Sequence, residues 1–230
     1  MQPPLARRPR PARLVLLRHG HPAAPPGVYL GSRLDPPLDA LGVEQATVAR
    51  GRLASINPAL VLASPLRRAR ETVALVAAEQ AIVAAADIRE QDLGAYSGLT
   101  WDQIKRLGDD AARAWRAGAA APGGEDARSM WRRSIRVALA AASRLGPGED
   151  ALLVSHSGPI RGLLASARGL APEEARRFRV RHACPRSIRL TPAVLERWRA
   201  FLADAAALEA RAAGDGDADG DGDAGPAAES

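Results

Sequence analysis

The chain has 230 residues and a formal net charge of +6, and its length predicts one domain. Hydrophobic residues make up 47% of the chain but aromatic residues only 3%, so alanine, leucine and valine must fill most of the core. Lys105 is the only lysine, and no basic stripe is interleaved with aromatic side chains, which excludes a single-strand nucleic-acid binder. The lack of any run of 18 apolar residues excludes a membrane-spanning helix, and the single cysteine, Cys184, excludes an intramolecular disulfide, so we expect a cytoplasmic protein.

The first predicted strand leads into a reactive tripeptide. An apolar run predicts a buried strand over 14–18, and Gly20 allows the chain to leave that strand sharply. Arg18 and His19 therefore lie at the edge where open α/β sheets bind ligands. An arginine that holds an oxyanion beside a histidine that attacks it suits nucleophilic chemistry. The alternative is an arginine and a histidine that only cap the strand.

The next elements bring basic residues to the same sheet. We predict a helix near 40–55 and a strand over 60–63. Ser64 is expected to cap a helix over 65–79, with Pro65 at its first helical position. This places arginines in the first turn, where cations oppose the helix dipole, so their position suggests a nearby anion. The alternative is a solvated face in an arginine-rich protein.

The second half of the chain repeats the strand–histidine arrangement. A strand over 151–155 leads into His156 and then into a helix over 159–168. Two such histidines lie side by side if their strands are neighbours in a parallel sheet. Since the chain has only four histidines, this echo of His19 favours a site over two structural histidines. The other predicted elements are a strand near 82–89, a helix that starts at Thr100 with a capping box to Gln103, a loop over 117–124, a helix over 126–145, a short helix from Pro172 and a strand within 180–190.

Together these segments resemble the histidine phosphatase superfamily, the phosphoglycerate-mutase-like enzymes. The resemblance covers roughly residues 13–205 and rests on five blocks that occur in the family's order. The blocks are Leu-Leu-Arg-His-Gly at 16–20, Asp-Pro-Pro-Leu with Leu-Gly and Gln-Ala within 35–46, Ala-Ser-Pro-Leu-Arg-Arg-Ala with Glu-Thr within 63–72, Glu90 with the run 93–99, and Val-Ser-His-Ser-Gly at 154–158. For a domain over 13–213 the resemblance implies a three-layer α/β/α sandwich with a mostly parallel central sheet and a small lid.

The resemblance also implies a role for each matching side chain. His19 would be the nucleophile that becomes phosphohistidine, and Arg18 and Arg68 would clamp the phosphoryl oxygens. His156 would stabilise the transferring group, and Glu90 would donate a proton to the leaving oxygen. This set suits a phosphate dianion, because the cationic side chains offset its negative charge. His19 can attack if its other nitrogen donates to a carbonyl or carboxylate, since that hydrogen bond leaves the attacking nitrogen unprotonated. The chemistry requires no metal and no cofactor.

Some positions depart from the family's pattern. Many relatives carry a glutamate and an asparagine where this chain has His21 and Pro25, so an amide that contacts phosphate is missing. We expect Ser32 or Arg33 to replace that contact. Ser157 stands where many members have glycine, and we include it among the substrate-binding residues. His21 is equally compatible with a surface loop and with a substrate contact.

The resemblance predicts a phosphatase that hydrolyses a small-molecule phosphate monoester. The stretch before the second histidine is short and contains a Gly-Glu segment at 122–125, as in phosphatase branches, whereas mutases carry a longer stretch. Residues 178–188 are similar to the end of α-ribazole phosphatases, so α-ribazole 5′-phosphate is a candidate substrate. A mutase-type phosphotransferase and a non-catalytic phosphate-binding or regulatory protein are the alternatives. We expect a phosphorylated small molecule as partner, neither nucleic acid nor membrane, and leave a homodimer open.

Both ends of the chain are predicted to be disordered. Residues 1–12 form an arm rich in proline and arginine that lacks the apolar segment of a secretory signal. The segment 214–230 alternates glycine and aspartate at its start and holds six acidic residues and no basic ones, which predicts an acidic tail. Residues 194–213 stay open between two structures, because their composition favours a helix while relatives often place an edge strand near 197–202.

Overall fold

The computed structural model of this chain describes the backbone of residues 10–214 and the side chains of residues 10–204. Within that part the strands are β1 (Arg13–Arg18), β2 (Leu60–Ala63), β3 (Ile82–Ala84), β4 (Asp150–Ser155) and β5 (Arg186–Arg189). The α-helices are α1 (Ala40–Leu53), α2 (Arg67–Val76), α3 (Trp101–Leu107), α4 (Asp109–Ala117), α5 (Ala127–Ala142), α6 (Ser157–Ser166) and α7 (Pro192–Gly214). Short 3-10 helices span Ala86–Ile88, Gly94–Tyr96 and Pro172–Arg177.

The five strands form one sheet in the order β3-β2-β4-β1-β5. The pairs β3–β2, β2–β4 and β4–β1 are parallel, and β5 runs antiparallel to β1. Every residue of β2 and β4 is buried, as expected for strands that are covered on both faces. The predicted mostly parallel sheet is therefore confirmed.

Helices cover both faces of the sheet. Because side chains alternate along a strand, β1, β2 and β4 contribute apolar residues to both faces, and each face packs against its own set of helices. In β1, Leu14 and Leu16 pack into a core shared with α5, α6 and α7, whose largest buried side chains are Trp131 and Trp198. The alternate residues of β1 pack into a second core formed with α1 and α2. The fold is thus the predicted three-layer α/β/α sandwich.

A third, smaller hydrophobic cluster lies in the α3–α4 unit. The indole of Trp115 is at its centre, with ring centroids 5.1 Å from Tyr29 and 5.5 Å from Tyr96. Helix α3 starts at the predicted capping box, in which Thr100 accepts from Gln103 and the Gln103 side chain accepts from the Thr100 backbone. This unit forms one wall of the cavity described below.

Three local predictions need correction. Ser64 does not cap α2, because the helix starts at Arg67 and Leu66 is its N-cap residue. The strand predicted near 82–89 ends at Ala84, and a 3-10 helix follows it. The open segment 194–213 is helical within α7, so its composition was the correct indicator and the edge strand was not.

The predicted arm and tail lie largely outside the described residues. Of the arm, residues 10–12 are described: Arg10 donates to the Asp150 carboxylate at 3.1 Å, and the carbonyl of Ala12 accepts from Leu190 N at 2.8 Å. Of the tail, the description includes only Gly214, the last residue of α7. No helix among the described residues has both the length and the apolar character to cross a bilayer.

Candidate active site

Two histidines meet where β1 and β4 end. These strands are parallel neighbours, with Arg18 opposite Ser155, so His19 and His156 leave the sheet side by side. The backbone N–H of His19 donates to Ser155 O at 2.9 Å, and the two imidazole centroids are 5.0 Å apart. The strand–histidine echo in the sequence thus corresponds to one place in the fold, at the carboxyl edge of the sheet.

The geometry around His19 fixes which nitrogen carries its proton. Nδ1 is 2.7 Å from Gly20 O, and because a carbonyl only accepts, Nδ1 is the donor. Nε2 is then unprotonated, and it accepts from Arg68 Nε at 3.3 Å. Burial, followed by repulsion from Arg18 and Arg68, lowers the pKa of His19 well below 6.5. At neutral pH His19 is therefore a neutral imidazole, whose Nε2 lone pair faces the Arg68 guanidinium.

A glycine is required next to this histidine. A Cβ at Gly20 would lie 2.4 Å from Gly42 O, which is too close for any side chain. Gly42 in turn lies in the first turn of α1, where its N–H donates to Asp39 at 2.8 Å. The close approach of these two backbones lets the chain turn at the end of β1, which leaves His19 buried with only 4% of its surface exposed.

Arg68 and Arg67 point in opposite directions from the start of α2. The Arg68 guanidinium is buried and donates to the carbonyls of Leu34 and Gly31, at 2.8 Å in each case. The Arg67 side chain is 58% exposed and pairs with Glu71 at 2.7 Å. Only Arg68 therefore reaches His19, which is the arrangement that the sequence motif predicts.

Arg18 places a second guanidinium beside His19. Its NH1 donates to Val180 O at 3.0 Å, while its buried Nε has no hydrogen-bond partner among the described residues. Burial lowers the pKa of Arg18 to about 10, with Glu90 opposing this shift and Arg161 and Arg68 adding to it. The side chain is still a cation at neutral pH, and a phosphoryl oxygen would satisfy its buried donor.

His156 is fully buried behind His19 and is held by a residue whose role the sequence did not predict. His156 Nε2 lies 2.8 Å from Ser64 Oγ, and its buried Nδ1 has no hydrogen-bond partner in the described part of the chain. Burial, followed by repulsion from His19 and Arg68, lowers the pKa of His156 well below 6.5. The hydroxyl of Ser64, expected at a helix cap, instead orients the second histidine.

Glu90 sits against the N-terminus of α6. Its carboxylate accepts from Gly158 N at 3.2 Å, from Gln91 N at 3.0 Å and from Ser157 Oγ at 3.4 Å. A Cβ at position 158 would lie 2.3 Å from Glu90 Oε1, so a larger residue there would displace this carboxylate. Glu90 and Ser157 both line the cavity that opens beside His19.

That cavity has a volume of about 510 Å³ and is strongly basic. Its ionisable lining residues are Arg18, Arg68, Arg116, Arg161, Arg176, His19, His21, His182 and a single acid, Glu90. Cationic walls with low-dielectric surroundings attract anions. Within residues 10–204 no three His, Cys, Asp or Glu side chains are grouped as ligands for a metal ion.

The structure does not bring Ser32 or Arg33 into the cavity lining. The Arg33 side chain is exposed and donates to the Asp92 carboxylate at 2.7 Å and to Gly123 O. For Ser32, the backbone N–H donates to Gln91 O at 3.0 Å. Arg33 is thus engaged by an acidic partner outside the cavity, a contact that the local sequence around position 33 does not reveal.

Two further histidines complete the cluster. His21 lies in a loop at the mouth of the cavity and lines it, and its Nδ1 lies 2.7 Å from Asp39 Oδ2. His182 was not singled out in the sequence, yet its ring centroid is 5.2 Å from His19 and 5.3 Å from His21. All four histidines of the chain therefore lie at one site. Their small number was the only signal in the sequence that could have pointed to His182.

Known proteins share this sequence pattern and this fold. The family described as histidine phosphatase superfamily (branch 1) matches residues 14–201. A glucosyl-3-phosphoglycerate phosphatase of Mycobacterium tuberculosis is 34% identical over 168 residues, which are 68% of this chain and 75% of that protein. The native structure of a mycobacterial glucosyl-3-phosphoglycerate phosphatase has a TM-score of 0.69 at 31% identity and covers 78% of this chain and 90% of its own. A putative α-ribazole-5′-P phosphatase from Escherichia coli has a TM-score of 0.71 at 27% identity, with coverage of 80% and 92%.

Proposed function

Because the chain belongs to the histidine phosphatase superfamily, branch 1, we propose that it hydrolyses a small-molecule phosphate monoester through a phosphohistidine at His19. One observation carries this proposal: His19 is buried with Nε2 unprotonated, between two guanidinium groups. A neutral imidazole is a nucleophile, and Arg18 and Arg68 supply the positive charge that draws a phosphate dianion towards it.

In the first step His19 attacks phosphorus. The lone pair of Nε2 forms the N–P bond as the bond from phosphorus to the ester oxygen breaks. Arg18 and Arg68 hold the phosphoryl oxygens, and His156, whose Nδ1 lacks a protein partner, stabilises the transferring group. Glu90, in its protonated form, gives its proton to the leaving oxygen, so the alcohol departs neutral.

In the second step water attacks the phosphohistidine. Glu90, now a carboxylate, takes a proton from the water as its oxygen bonds to phosphorus. The N–P bond breaks and its electron pair returns to Nε2, which regenerates neutral His19 and releases inorganic phosphate. The Nδ1–H bond to Gly20 O keeps the ring in one tautomer through both steps.

The distal part of the cavity favours a substrate with a second anionic group. Arg161 Nε donates to Phe178 O at 3.1 Å, and Arg176 Nε donates to Arg116 O at 2.8 Å. Each guanidinium is thereby anchored, while its terminal nitrogens have no carboxylate partner within residues 10–204. Two fixed N–H forks match the geometry of a carboxylate. We therefore propose a phosphorylated hydroxy acid, a class that includes the compound in the name of the glucosyl-3-phosphoglycerate phosphatases.

α-Ribazole 5′-phosphate is the second candidate. Its aromatic base has no carboxylate, but Tyr29 and Trp115 line the cavity and stand edge to face, with centroids 5.1 Å apart. Such a wall would hold a flat aromatic group. A panel that includes both candidate compounds would rank them directly by kcat/KM.

The carboxylate is tested with two esters that differ only in that group. We expect the chain to prefer 3-phosphoglycerate over glycerol 3-phosphate, and Arg161→Gln to reduce this preference about tenfold to a hundredfold, because it removes a charge-assisted pair of hydrogen bonds. The measurement is kcat/KM for each ester.

Arg179→Gln is the matched control, since Arg179 is exposed and does not line the cavity. It should leave the ratio of the two kcat/KM values unchanged. Equal turnover of the two esters by the wild-type chain would rule out the carboxylate while leaving the phosphatase proposal intact.

The role of Glu90 is tested through the leaving group. Glu90→Gln should depress turnover of an alkyl phosphate by about 10²–10⁴-fold, because an alkoxide needs a proton to depart, and should affect nitrophenyl phosphate much less. Release of inorganic phosphate from nitrophenyl phosphate also separates a phosphatase from a mutase-type phosphotransferase and from a non-catalytic phosphate-binding protein. An equal loss for both esters would mean that Glu90 only shapes the pocket.

We also propose a cytoplasmic enzyme that acts without a nucleic-acid partner. The unpaired Cys184 fits a reducing compartment, and the positive charge of the site lines a cavity instead of an open face. We further propose 13–213 as the limits of the domain, and we expect either a monomer or a homodimer.

A further inference from the structure

The nucleophile is flanked by two imidazoles, and only one of them has a role in the mechanism above. His156 lies 5.0 Å from His19 and His182 lies 5.2 Å from it, centroid to centroid. His182 lines the cavity that opens beside His19. Its ring is therefore about as close to the ring of His19 as the ring of His156 is.

The segment that carries His182 is held firmly against the end of β1. Ala183 N donates to Arg18 O at 2.9 Å, and Val180 O accepts from Arg18 NH1 at 3.0 Å. Ala183 is the only non-glycine residue with a positive φ, 45°, among the described residues. A residue held in this sparsely populated conformation indicates that the surrounding contacts dictate the path of the chain here. The His182 ring is thus presented to the cavity by a fixed backbone.

The hydrogen bond of His182 decides what the ring offers to a ligand. Nδ1 lies 3.0 Å from His19 O, and since a carbonyl only accepts, Nδ1 carries the proton. The hydrogen bond to His19 O occupies Nδ1, and the backbone of Gly20 also acts on the ring and raises its pKa, which leaves Nε2 as the nitrogen that can meet a ligand in the cavity. In the neutral ring, Nε2 presents a lone pair, which would repel a phosphate oxygen. A proton on Nε2 converts that repulsion into a charge-assisted hydrogen bond.

We propose that His182 is a further phosphate ligand, which takes up a proton from solvent at Nε2 when the phosphoryl dianion binds and then donates to one of its oxygens. This inference rests on the proposed function, because it presumes a phosphate beside His19. It also supplies a hydrogen-bond donor for the phosphate in a chain that lacks the amide found in many relatives at position 25. His182 would act at the substrate itself and would be a catalytic residue.

The charges around His182 are consistent with this coupling. Burial and then repulsion from Arg18 lower the pKa of His182 to about 4, while the His19 carbonyl opposes the shift and His21 adds to it. The titratable groups that face the ring are Arg18, His19 and His21, and Asp39 lies behind His21. A bound dianion offsets the repulsion by Arg18, so it raises the pKa of His182. Anion binding should then be strongest in acid and weaken as the pH rises towards that higher pKa.

Nitrogen-15 NMR of the histidine side chains tests the proposal directly. With four histidines, each ring can be assigned from a single substitution. Sulfate is the probe, because it stays a dianion across the range from about pH 5 to 8 in which histidines titrate. We expect His182 to be neutral in the free protein at neutral pH and to become an imidazolium when sulfate saturates the site. A His182 ring that stays neutral with sulfate bound would overturn the proposal.

His182→Asn separates a ligand from a structural residue. The asparagine amide can replace Nδ1 as donor to His19 O, but it leaves nothing at the place of Nε2. We expect the sulfate dissociation constant of this variant to be about tenfold to a hundredfold higher than that of the wild-type chain. In the wild-type chain the dissociation constant should rise by up to about tenfold per pH unit, and the variant should lose this pH dependence. Arg179→Gln, at an exposed residue that does not line the cavity, is the control and should retain both the affinity and that pH dependence.

Sulfate binding distinguishes a failure of the His182 proposal from a failure of the proposed phosphatase function. Equal affinity and equal pH dependence in the wild-type chain and in His182→Asn would refute the role of His182 and leave the phosphatase intact. If the wild-type chain bound no sulfate at the site, the phosphate site itself would be wrong, and this inference would fall with it. Circular dichroism of each variant shows that the fold is unchanged.

Discussion

His19→Ala should reduce phosphate release by about 10⁴-fold or more while the chain stays folded. The reason is that no other nitrogen is placed as His19 Nε2 is, against the Arg68 guanidinium: the ring of His156 is fully buried, and the His182 ring is hydrogen-bonded to the backbone carbonyl of His19. Without Nε2 there is no atom to carry the phosphoryl group between the two steps. Steady-state hydrolysis of nitrophenyl phosphate, with circular dichroism of the variant, measures both parts of this expectation.

A trapped intermediate provides the complementary result. Rapid quench of the wild-type chain should yield a phosphoenzyme that is labile in acid and stable in base, as a phosphoramidate is, and the variant should yield none. His21→Ala is the matched control, since it removes a cavity histidine that pairs with Asp39 and has no contact with Arg68, and it should still form the phosphoenzyme. Activity of His19→Ala above one hundredth of the wild-type value, in a folded protein, would exclude His19 as nucleophile.

Arg68→Ala should lower kcat/KM by about 10²–10³-fold, and Arg67→Ala should have little effect. Successive residues on a helix are separated by about 100°, so neighbours cannot both face the same ligand. Arg68 is buried against His19, whereas Arg67 lies outside and pairs with Glu71. Inhibition by vanadate should weaken in the first variant and persist in the second.

A loss of stability in Arg68→Ala has to be separated from a loss of binding. The Arg68 guanidinium donates to the carbonyls of Leu34 and Gly31, so its removal leaves two partly buried acceptors without a partner, and the free energy of unfolding should fall. Thermal unfolding with and without phosphate distinguishes the two effects, because a variant that is folded but does not bind gains no stability from phosphate. Equal losses of kcat/KM in the two variants would refute the assignment of Arg68.

The parts of the site that lie at strand ends could be predicted from the sequence. Apolar runs specify β1 and β4, and any residue that directly follows two neighbouring parallel strands must appear at the same edge of the sheet. The hydrophobic pattern therefore places His19 and His156 at strand ends, and the parallel pairing of β1 with β4 in the structure brings them together. Choosing Arg68 over Arg67 needed only the family motif, and helix geometry then excluded a shared role.

The parts that depend on loops and on long-range contacts could not be predicted. Ser64 follows a strand and precedes a proline, which is the local signature of a helix cap, but a tertiary contact with His156 determines where its hydroxyl points. Arg33 pairs with Asp92, a residue far along the chain. His182 stands in an irregular segment with no periodic pattern, so its proximity to His19 follows from how that segment returns to β1.

Residues 194–213 show how composition and family pattern can disagree. The segment is rich in alanine and leucine, and these intrinsic helix formers continue α7 through it. Trp198 is fully buried, and its indole N–H donates to Ser166 at 2.9 Å, so the helix is also anchored to α6. Local propensity and packing act in the same direction here, which explains why the helix forms where relatives often have an edge strand.

The strand order affects how the protein folds during its synthesis. β1 is synthesised before the other described strands, yet its two neighbours in the sheet are β4 (Asp150–Ser155) and β5 (Arg186–Arg189). β1, which carries His19 at its end, therefore has no partner strand during most of synthesis. Its pairing with β4 and β5 joins distant parts of the chain, and pairing of this kind is slow. A nascent or truncated chain that lacks β4 carries the Arg-His-Gly tripeptide but cannot assemble the cavity around it. Phosphate affinity is thus expected only once β4 has paired with β1.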